Sequence, residues 1–153
     1  MAIIESGIIF QNTTIVERKY YKSEDIFSNE HRNNLLKAVD GFASEIFDDE
    51  ISHFSVADYT LLLFSETVQE PGAEENKGKL MMYSIVQKGT SETVVRKSMK
   101  KILNQFLNRY SKSHLFYLRK EYLENMQKFA PRIDTEFKDL TLKSEDKVRG
   151  LFS

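Results

Sequence analysis

The chain contains no cysteine and no tryptophan, and only 2 prolines and 6 glycines among 153 residues. Without cysteine there is no disulfide framework, no thiol nucleophile and no thiolate metal site. The glycines do not cluster. Gly72 and Gly78 bracket a polar stretch, yet no Lys-Ser or Lys-Thr pair follows to cradle a phosphate. A P-loop, a dinucleotide fingerprint and a nucleophile elbow are therefore excluded. Long apolar runs are also lacking: Tyr59 to Phe64, interrupted by Thr60, is far too short to span a bilayer. The opening residues, Met-Ala-Ile-Ile-Glu-Ser-Gly, have neither the basic region nor the apolar stretch of a secretory signal. A cytoplasmic location without direct membrane insertion is expected, and the sequon at Asn12-Thr13-Thr14 then reads as a turn. The net charge is −1, from 22 basic and 23 acidic residues. No basic excess advertises a nucleic-acid partner.

What is present suits a single packed domain. Hydrophobic residues make up 41% of the chain, with 11 Phe and 7 Tyr, and 29% are charged. Ile3, Ile4, Ile8, Ile9 and Phe10 predict a strand broken at Glu5-Ser6-Gly7. Gln11-Asn12-Thr13 turns the chain, and Thr14 to Tyr21 returns as the second arm of a hairpin. Ser28 or Asn29 caps a helix to about Phe47, whose stripe is Leu35, Leu36, Val39, Phe42, Ala43, Ile46 and Phe47. Strands follow at Ile51–Ala57 and Thr60–Thr67. Gln69 to Gly78 reads as a mobile loop, and Lys79–Gln87 as a further strand. Leu61-Leu62-Leu63-Phe64 and the run from Leu80 to Val86 are apolar on both faces, the mark of strands covered on two sides. Ser91 caps a helix with the stripe Val95, Met99, Ile102, Leu103, Phe106 and Tyr110. A last helix runs from Ser113 to Lys138 and is kinked near Phe129 by Pro131. The expected class is α+β: a five-stranded antiparallel sheet in the order β-β-α-β-β-β-α-α, with helices on both faces. The domain is expected over residues 1–142, with a flexible tail over 143–153.

Catalytic chemistry finds little support. His31, His53 and His114 lie far apart, and none has a second ligand at helical spacing, so no metal site is expected. Asp48-Asp49-Glu50 and Glu74-Glu75 are adjacent acids in predicted loops. They lack the unequal environments that separate the pKa values of an acid–base pair. Arg96, Lys97, Lys100, Lys101 and Arg109 read as the solvated face of an amphipathic helix. No catalytic residue and no cofactor is expected.

Surface for partners remains. An edge strand offers unpaired backbone groups to another chain. The Ile51–Ala57 strand places Phe54 and Val56 on one parity and His53 and Ser55 on the other. Beside it the first predicted helix turns Asn33, Asn34 and Lys37 outward, a mild face that tolerates burial. The expected partner-binding residues are Asn33, Asn34, Lys37, His53, Phe54, Ser55 and Val56.

Over about residues 3 to 140, the element order and the local text resemble the longin-like proteins of archaea, within the longin and roadblock superfamily. The residues that carry the likeness are Ser6-Gly7-Ile8-Ile9-Phe10, the stretch Arg32 to Phe47, Ile51 to Phe64, and Val94 to Met99 continuing through Phe106 to Tyr110. The resemblance implies a non-catalytic platform that acts as a homo- or heterodimer in membrane trafficking. It docks small Ras-like GTPases or other longin and roadblock proteins through the first helix and the adjacent edge strand. A heptad-bearing fusion helix after the domain is not expected, so a fusion role is not either. The alternative is a small-molecule-sensing domain of a signalling system, which requires a pocket between sheet and helices.

Overall fold

A computed structural model describes residues 3–11, 13–20, 51–56 and 59–138, with only the backbone for 51–54 and 56. Strands β1 (Ile3–Phe10), β2 (Thr13–Lys19), β3 (Ile51–Val56), β4 (Tyr59–Glu70) and β5 (Ala73–Gln87) form an antiparallel sheet in the order β2-β1-β5-β4-β3. The four strands whose side chains are placed, β2-β1-β5-β4, make its body, and β3 lies along the outer side of β4. Helices α1 (Glu92–Arg109), α2 (Lys112–Phe116), α3 (Lys120–Gln127) and α4 (Ala130–Glu136) follow.

The apolar positions explain the layering. Ile8, Phe10, Leu62, Phe64, Leu80 and Met82 share one sheet face and pack with Val95, Met99, Ile102, Leu103 and Phe106 of α1. On the opposite face Ile9, Leu61, Leu63, Met81, Tyr83 and Ile85 are also withdrawn from water. Strands β4 and β5 are thus buried on two sides, and their near-continuous apolar runs are the sequence consequence. Ser91 caps α1, its Oγ accepting from the Val94 amide, and Glu92 sits in the first turn where the helix dipole favours an acid.

The expected order β-β-α-β-β-β-α-α does not survive. The segment after β5 is four helices rather than two, and these four join the core on the same sheet face. The predicted Ser113–Lys138 helix is broken at Tyr117 (φ −128°, ψ 68°) and at Arg119 (φ −78°, ψ 157°), where extended backbone cannot carry the helical ladder. Pro131 does not kink a continuous helix. It occupies the first turn of α4, where its missing N–H leaves no bond unmade. The longin-like architecture expected from that order is corrected accordingly. The predicted helix to Phe47 and the tail over 143–153 lie outside the described residues.

Two strand expectations are also corrected. β1 is continuous through Glu5-Ser6-Gly7, because the polar groups there are bonded across the sheet rather than turned to water. The predicted Gln69–Gly78 loop is mostly strand: β4 and β5 meet at a two-residue turn, Pro71-Gly72. Gly72 at φ 84° supplies the left-handed position that a proline-led type II turn demands. The register shift between Gln69 and Glu70 absorbs Glu74, Glu75 and Asn76.

Candidate interaction site

The two outer strands of the sheet differ in how far they are protected. β2 carries a bulge: Ile8 faces Val16 and Ile9 faces Thr14, which leaves Ile15 extra. Bulges twist an edge away from further pairing. Charge guards it as well, since Lys19 pairs with Glu17 at 3.2 Å. Its helix-side groups are engaged. Arg18 donates from Nε and Nη2 to the two carboxylate oxygens of Asp134 at 3.0 and 2.7 Å, and the Tyr20 hydroxyl donates to Oδ1 at 2.8 Å. The bond to Asp134 raises the Arg18 pKa further. Burial, then the same carboxylate, push the Tyr20 hydroxyl well above its ordinary range. A shallow depression of about 360 Å³ lies where β2 meets α3 and α4, between Thr14–Arg18 and Gln127 and Ala130.

Among the described residues, β3 shows neither a bulge nor a charged residue. Its register on β4 runs without a shift from Ile51 opposite Phe64 to Val56 opposite Tyr59. The strand reads Ile-Ser-His-Phe-Ser-Val, with no charge and no proline. His53 stands opposite Leu62, Phe54 opposite Leu61, and Ser55 opposite Thr60. Ser55 is exposed, its hydroxyl 3.5 Å from that of Thr60. Asn33, Asn34 and Lys37 lie outside the described residues, so β3 alone carries the described part of the predicted surface.

Other predicted groups are dispersed. The His114 ring stacks on Tyr122, centroids 3.8 Å apart and nearly parallel, with Arg119 above the same tyrosine. Glu74 and Glu75 are exposed on β5. Arg96 pairs with Glu92, Lys101 with Glu136, and Lys100 lies 5.6 Å from the Phe64 ring centroid. Asp48-Asp49-Glu50 and His31 fall outside the described residues. Among the described residues no group of three metal-ligating side chains comes together. None of the described helices is long and apolar enough to cross a membrane.

Sequence reasoning missed a buried polar cluster at the middle of the sheet. Glu5 is 1% exposed and accepts from the Tyr83 hydroxyl at 2.6 Å. Behind it Ser6 Oγ donates to the Tyr83 carbonyl at 2.9 Å and lies 3.0 Å from Ser84 Oγ. The available signal was a polar triplet flanked by isoleucines on both sides, which also describes a strand crossing a polar centre. At the far end of β4, Glu70 is bonded by Tyr117 and by Asn76 Nδ2 at 2.7 Å. These bonds, that of Tyr117 first, hold its carboxyl below the usual range.

No family model matches the chain, and no curated protein matches it.

Proposed function

We propose that this chain is a non-catalytic, cytoplasmic protein-binding platform that pairs with its partner along β3, as a homo- or heterodimer. The observation that carries the reading is the contrast between the two outer strands. β2 is bulged, charged and tied to α4, whereas β3 offers six uncharged residues in unbroken register. Natural sheets blunt the edges they do not use. An edge left flat and uncharged is suited to strand addition, in which main-chain bonds supply affinity and alternate side chains supply selectivity. The likeness of the local text to longin-like proteins supports a small Ras-like GTPase, or another longin or roadblock protein, as that partner.

The test combines size-exclusion chromatography with pull-down against the host's small GTPases and longin or roadblock proteins. The wild-type chain is expected to dimerise or to capture one of them. Ser55→Lys, which places a charge on the exposed edge, is expected to abolish that association without lowering the thermal midpoint. A strict monomer that captures none of them would sink the reading.

A further inference from the structure

Charge is unevenly distributed along this nearly neutral chain. Residues 92–138, the four helices and their connections, hold eleven Lys and Arg against five Asp and Glu, a net of +6. Residues 1–91 hold eight against fifteen, a net of −7. The tertiary structure gathers much of the positive excess onto one outward surface. α1 and α4 lie side by side, joined by Lys101 to Glu136 at 3.3 Å and by Arg132 Nε, which donates to the Gln105 side-chain oxygen Oε1 at 2.9 Å. The outward row of α1 runs Val94, Lys97, Lys101, Asn104 and Asn108, the i, i+3, i+7 spacing of a single helix face, and contains no acid. Lys100 flanks it, and Lys128 and Arg132 extend the surface onto the α3–α4 corner; all are exposed. The acid between the two helices, Glu136, has a side chain only 13% exposed and is shared between Lys101 and Arg132.

We infer that this α1–α4 face docks on an anionic lipid bilayer surface, independently of the β3 edge. Complementary charge selects an anionic partner, and three features favour lipid. The cations are mostly lysines, carried on α1 and on the α3–α4 corner rather than gathered around one cleft, which suits a diffuse field better than a shaped acidic pocket. The nearby rings of Phe106, Tyr110 and Phe129 are buried against one another, so this face offers none of them for base stacking. Val94, the one large aliphatic side chain exposed among the described residues at 46%, sits on the same row as the lysines, where it can enter the headgroup boundary. Attraction of this kind requires no membrane-spanning helix.

Co-sedimentation with phosphatidylcholine vesicles, with and without phosphatidylserine, tests the inference. The wild-type chain is expected to sediment only with the phosphatidylserine vesicles and to be released by high salt, since exposed charges are screened within a Debye length. Each lysine near such a surface contributes roughly fivefold. Lys97→Glu/Lys128→Glu is therefore expected to weaken partitioning by at least about 20-fold, and Lys97→Gln/Lys128→Gln by a smaller factor, with thermal midpoints unchanged. The Ser55→Lys variant keeps full vesicle binding, which separates this inference from the proposed pairing along β3. Three outcomes would overturn it: partitioning that ignores phosphatidylserine, partitioning that ignores the charge reversal, or capture of an oligonucleotide or an acidic protein in place of vesicles.

Discussion

The ring of Tyr83 lies directly over Gly7 on the neighbouring strand. A Cβ at residue 7 would sit 2.6 Å from Cε1 of that ring and 2.8 Å from the Val16 carbonyl oxygen. The two residues are register partners, Gly7 on β1 and Tyr83 on β5. The glycine lets the ring lie flat across the sheet so that its hydroxyl reaches Glu5, two residues along β1. Space and hydrogen bonding at this point are one arrangement.

Gly7→Ala is therefore expected to cost about 1–3 kcal/mol, because one of the atoms in its way is backbone and cannot rotate aside. Tyr83→Phe keeps the ring and removes the donor to a buried carboxylate, at a cost of about 1–3 kcal/mol. Denaturant unfolding of both variants checks the pair. A Gly7→Ala protein as stable as wild type would show that the ring has room to move.

Ser65 presents the opposite case. Its hydroxyl is fully buried on β4 and has no hydrogen-bond partner among the described residues. Burial of an unbonded hydroxyl is unfavourable, so Ser65→Ala is expected to stabilise the domain by up to about 1 kcal/mol. The thermal midpoint reports it directly, and a fall would show that the hydroxyl is bonded in solution.

Asp134 collects two hydrogen bonds from Arg18 of β2 and one from Tyr20 just beyond it, and so ties the guarded edge to α4. The groups are partly exposed, which discounts the ion pair. Asp134→Ala is expected to cost about 1–2 kcal/mol, chiefly through the bonds from Arg18 and Tyr20 left unmade. Hydrogen exchange should then rise in β2 and α4 before it rises in β4 and β5.

Two pH limits follow from the shifted groups. Tyr20 has its pKa raised in the folded state, by burial first and by Asp134 second. Its contribution is complete below the unfolded value near 10 and is lost as pH rises above it. Tyr20→Phe is expected to flatten the alkaline limb of the stability curve. Glu70 has its pKa lowered, first by Tyr117. Its contribution is present above the unfolded carboxylate value of about 4.3 and disappears as pH falls through the folded one. Tyr117→Phe is expected to reduce that acid-side loss. Stability measured across pH in the two variants checks both signs.

What the sequence determined by itself is what depends on local period. The two-sided apolar runs of β4 and β5, the 3.6-residue stripe of α1 and its Ser91 cap can each be read from a dozen adjacent residues, because burial of a strand or a helix face imposes a repeat. The tertiary structure alone decided the rest. Arg18 and Asp134 are 116 positions apart, and Glu5 and Tyr83 are 78 apart. Nothing near Glu5-Ser6-Gly7 announces that a tyrosine from another strand will bond the acid and need the glycine's empty space. The bulge at Ile15 depends on pairing between strands, and the division of the last helix depends on where Leu115, Met126, Phe129 and Ile133 can all reach one core. The same holds for both candidate surfaces. The uncharged text of β3 was legible, but β2 was recognisable as the guarded edge only once its bulge and its bonds to Asp134 were in place. The lysines of α1 looked like an ordinary solvated face until α4 was laid beside them. Periodicity records which side of an element is buried, whereas the identity of its neighbour is set by contacts the local sequence does not encode.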